Sequence, residues 1–137
     1  MIPEGPYAAT IIIEAFGVPK PKGSMKHVGR GRMVESVKGS TKWKDAVKKA
    51  AVAVMADQPP LEGPIVASIV ATMPRPKSRK GLLPITRSSG DLDKLVRNCL
   101  DAVSKVAIVD DSQVVLLCAT KRYGDRIGVK IMLTVGT

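Results

Sequence analysis

Apolar positions change their period along the chain, and each change marks an element. Residues 7–16, YAATIIIEAF, are dense in β-branched side chains and stop at Gly17 and two prolines, which predicts a strand. Residues 17–39 hold five glycines and two prolines, the composition of a long, partly mobile basic loop. At Ser40 or Thr41, either able to cap a helix, the period becomes helical. Trp43, Val47, Ala50, Ala51 and Val54 then share one face to about Ala56, where DQPPLEGP ends the helix. IVASIVATM, 65–73, is a near-continuous apolar run and predicts a strand buried on both faces. A second basic loop, 74–90, leads to a helix from about Asp91 to Lys105. Its stripe of Leu92, Leu95, Val96, Cys99 and Val103 faces the core, and Asp93, Lys94, Arg97, Asn98, Asp101, Ser104 and Lys105 lie on the other side. After a short extended piece, VAIVD, come strands at 113–122 and 127–135, with YGDR between them as a hairpin turn. The order β-α-β-α-β-β reads as one α+β domain over residues 1–137, with a mixed sheet and two main helices.

Composition narrows the function. Hydrophobic residues are 45% of the chain, yet its aromatics are Tyr7, Phe16, Trp43 and Tyr123, so the core is aliphatic and gives little basis for a base-stacking platform. No apolar run approaches the roughly 20 residues that span a bilayer, and the N-terminus lacks a signal-peptide pattern. The expectation is a soluble, cytoplasmic protein with no membrane partner. Cys99 and Cys118 are too few and too far apart for a disulfide framework, and Cys99 on an apolar helix face reads as a small buried hydrophobe. Charge says more: 22 Lys and Arg against 12 Asp and Glu give +10. Ten basic and two acidic residues fall between Lys20 and Lys49, and five basic residues with no acid between Arg75 and Arg87. A polyanion suits such clusters, because neutralised phosphates release counterions. Lys20, Lys22, Lys26, Arg30 and Arg32 of the first loop and Arg75, Lys77, Arg79, Lys80 and Arg87 of the second are the expected DNA contacts.

Against that background GDLDKLVRNCLDAV, 90–103, and VDDSQVV, 109–115, place four aspartates in two tight pairs. Singly, each has a structural explanation. Asp91 suits an N-cap and Asp93 the first turn, Asp93–Arg97 and Arg97–Asp101 suit i, i+4 ion pairs, and Asp110–Asp111 suits a turn. Together they admit another. A fifteen-residue helix is roughly 22 Å long, and the extended segment to Asp111 covers about 17–20 Å. If that segment runs back along the helix, Asp111 returns to Asp91 and Asp93 between the basic loops. Clustered carboxylates call for a hard cation, and Mg²⁺ accepts one or two of them plus phosphate oxygens and water. Lys94 or Arg97 is placed to meet a scissile phosphate. His27, the only histidine, lies in the first loop and receives no catalytic role.

DLDKLVRNCLDAV followed by VDDSQV resembles the signature of the RusA-type Holliday-junction resolvases, small endonucleases common in bacteriophages and prophages. The likeness extends upstream through PKGSMK and KWKDAV, so it covers most of the chain. It implies a homodimer that nicks two strands of a four-way junction symmetrically, with Mg²⁺ as cofactor and Mn²⁺ able to substitute. Asp91, Asp93 and Asp111 take the positions of the catalytic, metal-binding carboxylates, with Asp110 beside them. The family's catalytic lysine falls on Arg97, which keeps the charge but cannot act as a titratable acid; Lys94, where many members have Asn, shares the task. Members often carry a basic residue before the first Asp, whereas this chain has Gly90, with Arg87 nearest. The rival readings are a non-enzymatic basic DNA-binding protein and a nuclease preferring flaps or replication forks.

Overall fold

A computed structural model describes residues 7–23, 25–27, 29, 33–35 and 38–136. The strands are β1 (Tyr7–Phe16), β2 (Met25–His27), β3 (Met33–Glu35), β4 (Ile65–Met73), β5 (Val114–Tyr123) and β6 (Gly128–Gly136), and the helices are α1 (Ser40–Met55) and α2 (Leu92–Val103). The expected α+β class with a mixed sheet and two helices is the one observed. Within the basic loop 17–39, β2 and β3 pair as a small antiparallel ladder. Three-residue strands are too short to show a period, so sequence pattern missed them.

The main sheet runs β1-β6-β4-β5, with β4 antiparallel to β6 and parallel to β5. YGDR therefore does not close a hairpin. β5 and β6 lie on opposite sides of β4, and residues 124–127 step over its end, where the Gly124 N–H donates to Met73 O at 3.4 Å. Turn chemistry specifies that the chain reverses, not which strand it rejoins. With strands about 4.8 Å apart, stepping over one requires about 10 Å, within reach of four residues. The apolar run of β4 reflects this central position. Ile65, Ala67, Ile69, Ala71 and Met73 are buried towards the helices, while on the outer side Thr72 is buried but Val66, Ser68 and Val70 are only half-buried, so the strand is not buried along both faces as expected.

Both helices cover one side of the sheet, α1 against β1 and α2 beside α1 over β5. On α1 the buried line is Ser40, Trp43, Val47, Ala51 and Met55; Val54 is turned to solvent, because Met55 continues the i, i+4 row and Val54 does not. Gly39 occupies the cap position, and Ser40 faces inward instead of capping. On α2 Leu95, Val96, Cys99 and Val103 of the expected stripe are buried and Leu92 is half-buried; Ala102 is buried with them, and burial pushes the Cys99 thiol up to about 12. Asn98, expected at the surface, is buried with them. Its amide Nδ2 donates to Lys20 O at 3.0 Å and to Ser40 O and Oγ at 3.3 Å, so it seams α2 to α1 and to the first basic loop. Among the described residues no helix is long and apolar enough to cross a membrane.

Candidate active site

The start of α2 is assembled from three directions. A 3-10 turn, Arg87–Ser89, ends at Gly90, whose φ of 85° needs glycine and whose missing Cβ would lie 3.0 Å from Pro21. Asp91 follows at the N-cap position with extended backbone, yet its carboxylate makes no capping hydrogen bond. The side chain is 69% exposed and only 3.9 Å from Lys94 Nζ. Asp93 is exposed in the first turn. Arg97 is also exposed, and the i, i+4 ion pairs expected of it do not form. Among the described residues the ion pairs are Lys22–Asp101, Lys94–Asp91 and Arg126–Glu14. Two exposed carboxylates, Asp91 in a loose pair with Lys94 and Asp93 beside the exposed Arg97, are thus presented at one helix end. Hard oxygen donors in that number suit Mg²⁺, which completes its shell with water and phosphate.

The second pair is elsewhere. α2 ends as Ser104 turns extended and Lys105 adopts φ 69°, and the Lys105 N–H donates to Ile108 O at 2.7 Å. That tight turn, tied to the preceding loop by Leu61 N–H to Ala107 O, consumes the residues that were to run back along the helix. Asp110 and Asp111 stay at its C-terminal end, lining an open groove of about 700 Å³ with Asp101, Ser104 and Lys105. The expected convergence of Asp111 with Asp91 and Asp93 does not occur within one chain: the twelve-residue helix, about 18 Å long, separates the pairs. Among the described residues no three His, Cys, Asp or Glu side chains are grouped to hold a metal.

The two members of this pair have different jobs. Asp110 caps the 3-10 turn Asp111–Gln113: its Oδ2 accepts from the Ser112 N–H at 3.0 Å, and its own N–H donates to Gln113 Oε1 at 2.8 Å. Hydrogen bonds from the Ser112 side chain and backbone, helped by Lys105, hold its carboxyl below the ordinary value. Gln113 Nε2 donates to Leu61 O and Gly63 O, both at 2.9 Å, and pins the turn to the loop before β4. Asp111 is exposed, with no such duty.

The basic loops flank the α2 start. Lys22 Nζ lies 2.5 Å from Asp101 Oδ2 and its N–H donates to Lys94 O, so this expected DNA contact is partly committed to the fold. Lys20 is half-buried along the same strip. In the second loop Arg75 lies over the Tyr123 ring at 4.6 Å and donates to Gly81 O, while Lys77, Lys80 and Arg87 are exposed and Arg79 is half-buried. Arg30, Arg32 and the Lys26 side chain lie outside the described residues. The cation that meets Gly90 is not Arg87 but Lys121, donating to Gly90 O at 2.7 Å and Ser89 Oγ at 3.0 Å from β5. Alternation along β5 carries the missed signal: Lys121 shares a parity with Ala119 and Tyr123, the face that packs inward.

No curated protein matches the chain. The family model of endodeoxyribonuclease RusA matches residues 16–134, which takes in both basic loops, the α2 start and the Asp110–Gln113 turn. The chain therefore belongs to the RusA endodeoxyribonucleases, the enzymes that resolve Holliday junctions.

Proposed function

We propose that the protein is a homodimeric, Mg²⁺-dependent endonuclease that resolves four-way DNA junctions by paired symmetric nicks, with Mn²⁺ able to replace Mg²⁺. The observation that carries this reading is the Asp91–Asp93 pair, two exposed carboxylates at a helix start with no capping bond to account for Asp91. Asp91 and Asp93 hold the metal, Asp111 adds a third carboxylate, and Asp110 contributes charge while its oxygen stays with Ser112. When bound, Mg²⁺ supplies an activated water and offsets charge on the leaving oxygen. Arg97, free of ion pairs, and Lys94 meet the phosphate at the cleavage point. Lys20 and Lys22 of the first loop and Arg75, Lys77, Arg79, Lys80 and Arg87 of the second track the DNA arms, joined by Lys26, Arg30 and Arg32.

A second copy completes the carboxylate set. β5 is an edge strand of ten residues with Val115 64% and Leu117 45% exposed, and long apolar edges of this kind invite another strand. If β5 pairs antiparallel with its copy about a two-fold near Leu117, the second copy's Asp111 lies beside residues 121–125. That is the end where Lys121 meets Gly90. Two such sites related by one axis match paired incisions in a two-fold junction.

Complementation tests the whole reading. Asp93→Asn and Asp111→Asn chains, each inactive alone, are co-refolded and assayed on a synthetic four-way junction with Mg²⁺ or chelator. Shared sites leave each mixed dimer one intact set, so the mixture nicks single strands in Mg²⁺ but makes no paired cuts. An inactive mixture places each carboxylate set within one chain, and parent-like nicking by either variant alone removes that carboxylate from the site.

A further inference from the structure

We infer that Lys121 is a positioning residue for the catalytic end of α2, an inference that rests on the Asp91–Asp93 reading above. Its place on the sheet is unusual. The inward positions of the other strands carry no charge, from Ile13 on β1 to Ile69 on β4 and Ile131 on β6. Lys121 is the one charged side chain among the described residues on that side. It stands opposite Ala71 of β4, whose small side chain leaves room for it. An ammonium held half-buried there is unfavourable unless its donors are met. Both acceptors it finds, Ser89 Oγ and Gly90 O, belong to the junction between the second basic loop and α2.

That junction aims the first carboxylate. Gly90 O belongs to the peptide whose nitrogen is that of Asp91. The Asp91 carbonyl, on the other side, accepts from Lys94 N–H at 3.1 Å and Leu95 N–H at 3.0 Å as the helix begins. Both peptides flanking the Asp91 Cα are therefore held, one by the helix and one by Lys121. The carboxylate has no capping bond to orient it and only a loose, exposed 3.9 Å approach to Lys94, so the backbone chiefly sets its direction. Ser89 extends the brace, its Oγ donating to Thr86 O at 2.7 Å. Without Lys121 the Gly90–Asp91 peptide can rotate while α2 stays intact. Misplacing a reacting group by about 1 Å costs on the order of 10²-fold in rate, and lost outer-shell partners weaken metal sites by about 10–100-fold.

Lys121→Met keeps the aliphatic stem and removes both bonds; Lys121→Arg can reach both acceptors. Three readouts separate aiming from support: single-turnover nicking of a four-way junction at saturating Mg²⁺, Mn²⁺ affinity by calorimetry without DNA, and junction affinity in chelator. The Met variant is expected to nick about 10²-fold slower and to bind Mn²⁺ at least about tenfold more weakly. Its junction affinity and thermal midpoint stay near the parent's, and the Arg variant recovers most of both losses. Parent-like nicking and Mn²⁺ affinity in the Met variant overturn the inference. So does a joint loss of stability and junction binding that Arg does not restore, which makes Lys121 a structural prop. Asp93→Asn is run alongside: if it nicks like the parent, the reading of the site itself falls, whatever the Lys121 variants do.

Discussion

Asp91→Asn separates a capping carboxylate from a working one, and the structure sets the size of each effect. Losing an N-cap side chain that bonds its helix destabilises a protein by about 0.5–2 kcal/mol, but Asp91 makes no such bond. What it does make is a 3.9 Å approach to Lys94 with the two side chains 69% and 50% exposed. Exposed pairs of this kind contribute about 0.2–1 kcal/mol before salt screening, and favourable placement on the helix dipole adds a similar amount. Asparagine retains an acceptor that can cap, which offsets part of the loss. The net change is at most about 1 kcal/mol, a fall in thermal midpoint of roughly 4 °C for a chain of this size. Nicking behaves differently. A metal-holding carboxylate cannot be neutralised without a loss exceeding the roughly 10–100-fold seen for outer-shell groups. Junction binding in chelator is expected to stay level or tighten, because one negative charge has left the site proposed to face phosphate. The assays are thermal unfolding by circular dichroism, single-turnover nicking of a four-way junction, and binding by gel shift in chelator. Nicking at the parent rate refutes the reasoning. So does a destabilisation above about 2 kcal/mol with nicking lost only in proportion to unfolded protein, because Asp91 is then structural.

Three further outcomes are expected. Asn98→Ala strips the donors that hold Lys20 O, Ser40 O and Ser40 Oγ and is expected to destabilise by about 2–4 kcal/mol, measured by urea unfolding; a loss under about 1 kcal/mol would show that the seam is dispensable. Neutralising Lys77, Arg79 and Lys80 together is expected to weaken junction binding and flatten its log–log salt dependence by about 0.9 per lost phosphate contact; an unchanged slope puts the DNA elsewhere. Asp110, its carboxyl lowered by the Ser112 side-chain and backbone hydrogen bonds, contributes stability that is present above about pH 4 and lost as pH falls through its lower folded value. Asp110→Asn is expected to flatten this acid limb in unfolding curves between about pH 2 and 5, and an identical limb in the variant contradicts the assignment.

Local chemistry was enough to determine much of this protein. The β-branched run of β1, the helical row through Trp43 and Val47, and the stripe through Leu95, Val96, Cys99 and Val103 each follow from a period that only one element can bury. The paired aspartates and the basic loops were equally plain, because charge and spacing are properties of the chain itself. Tertiary structure alone decided what depends on neighbours distant in sequence. YGDR could close a hairpin or step over β4, and only the sheet's strand order selects the second. Asn98 and Lys121 look like surface residues until α1, the first basic loop and Gly90 supply acceptors for them. The length from Val106 to Asp111 sufficed to return along α2, but the turn at Lys105 and the bond to Leu61 spend it, leaving the two carboxylate pairs at opposite ends of one helix. A chain records what each residue can bond; which partner comes within reach is decided only when the whole fold has closed.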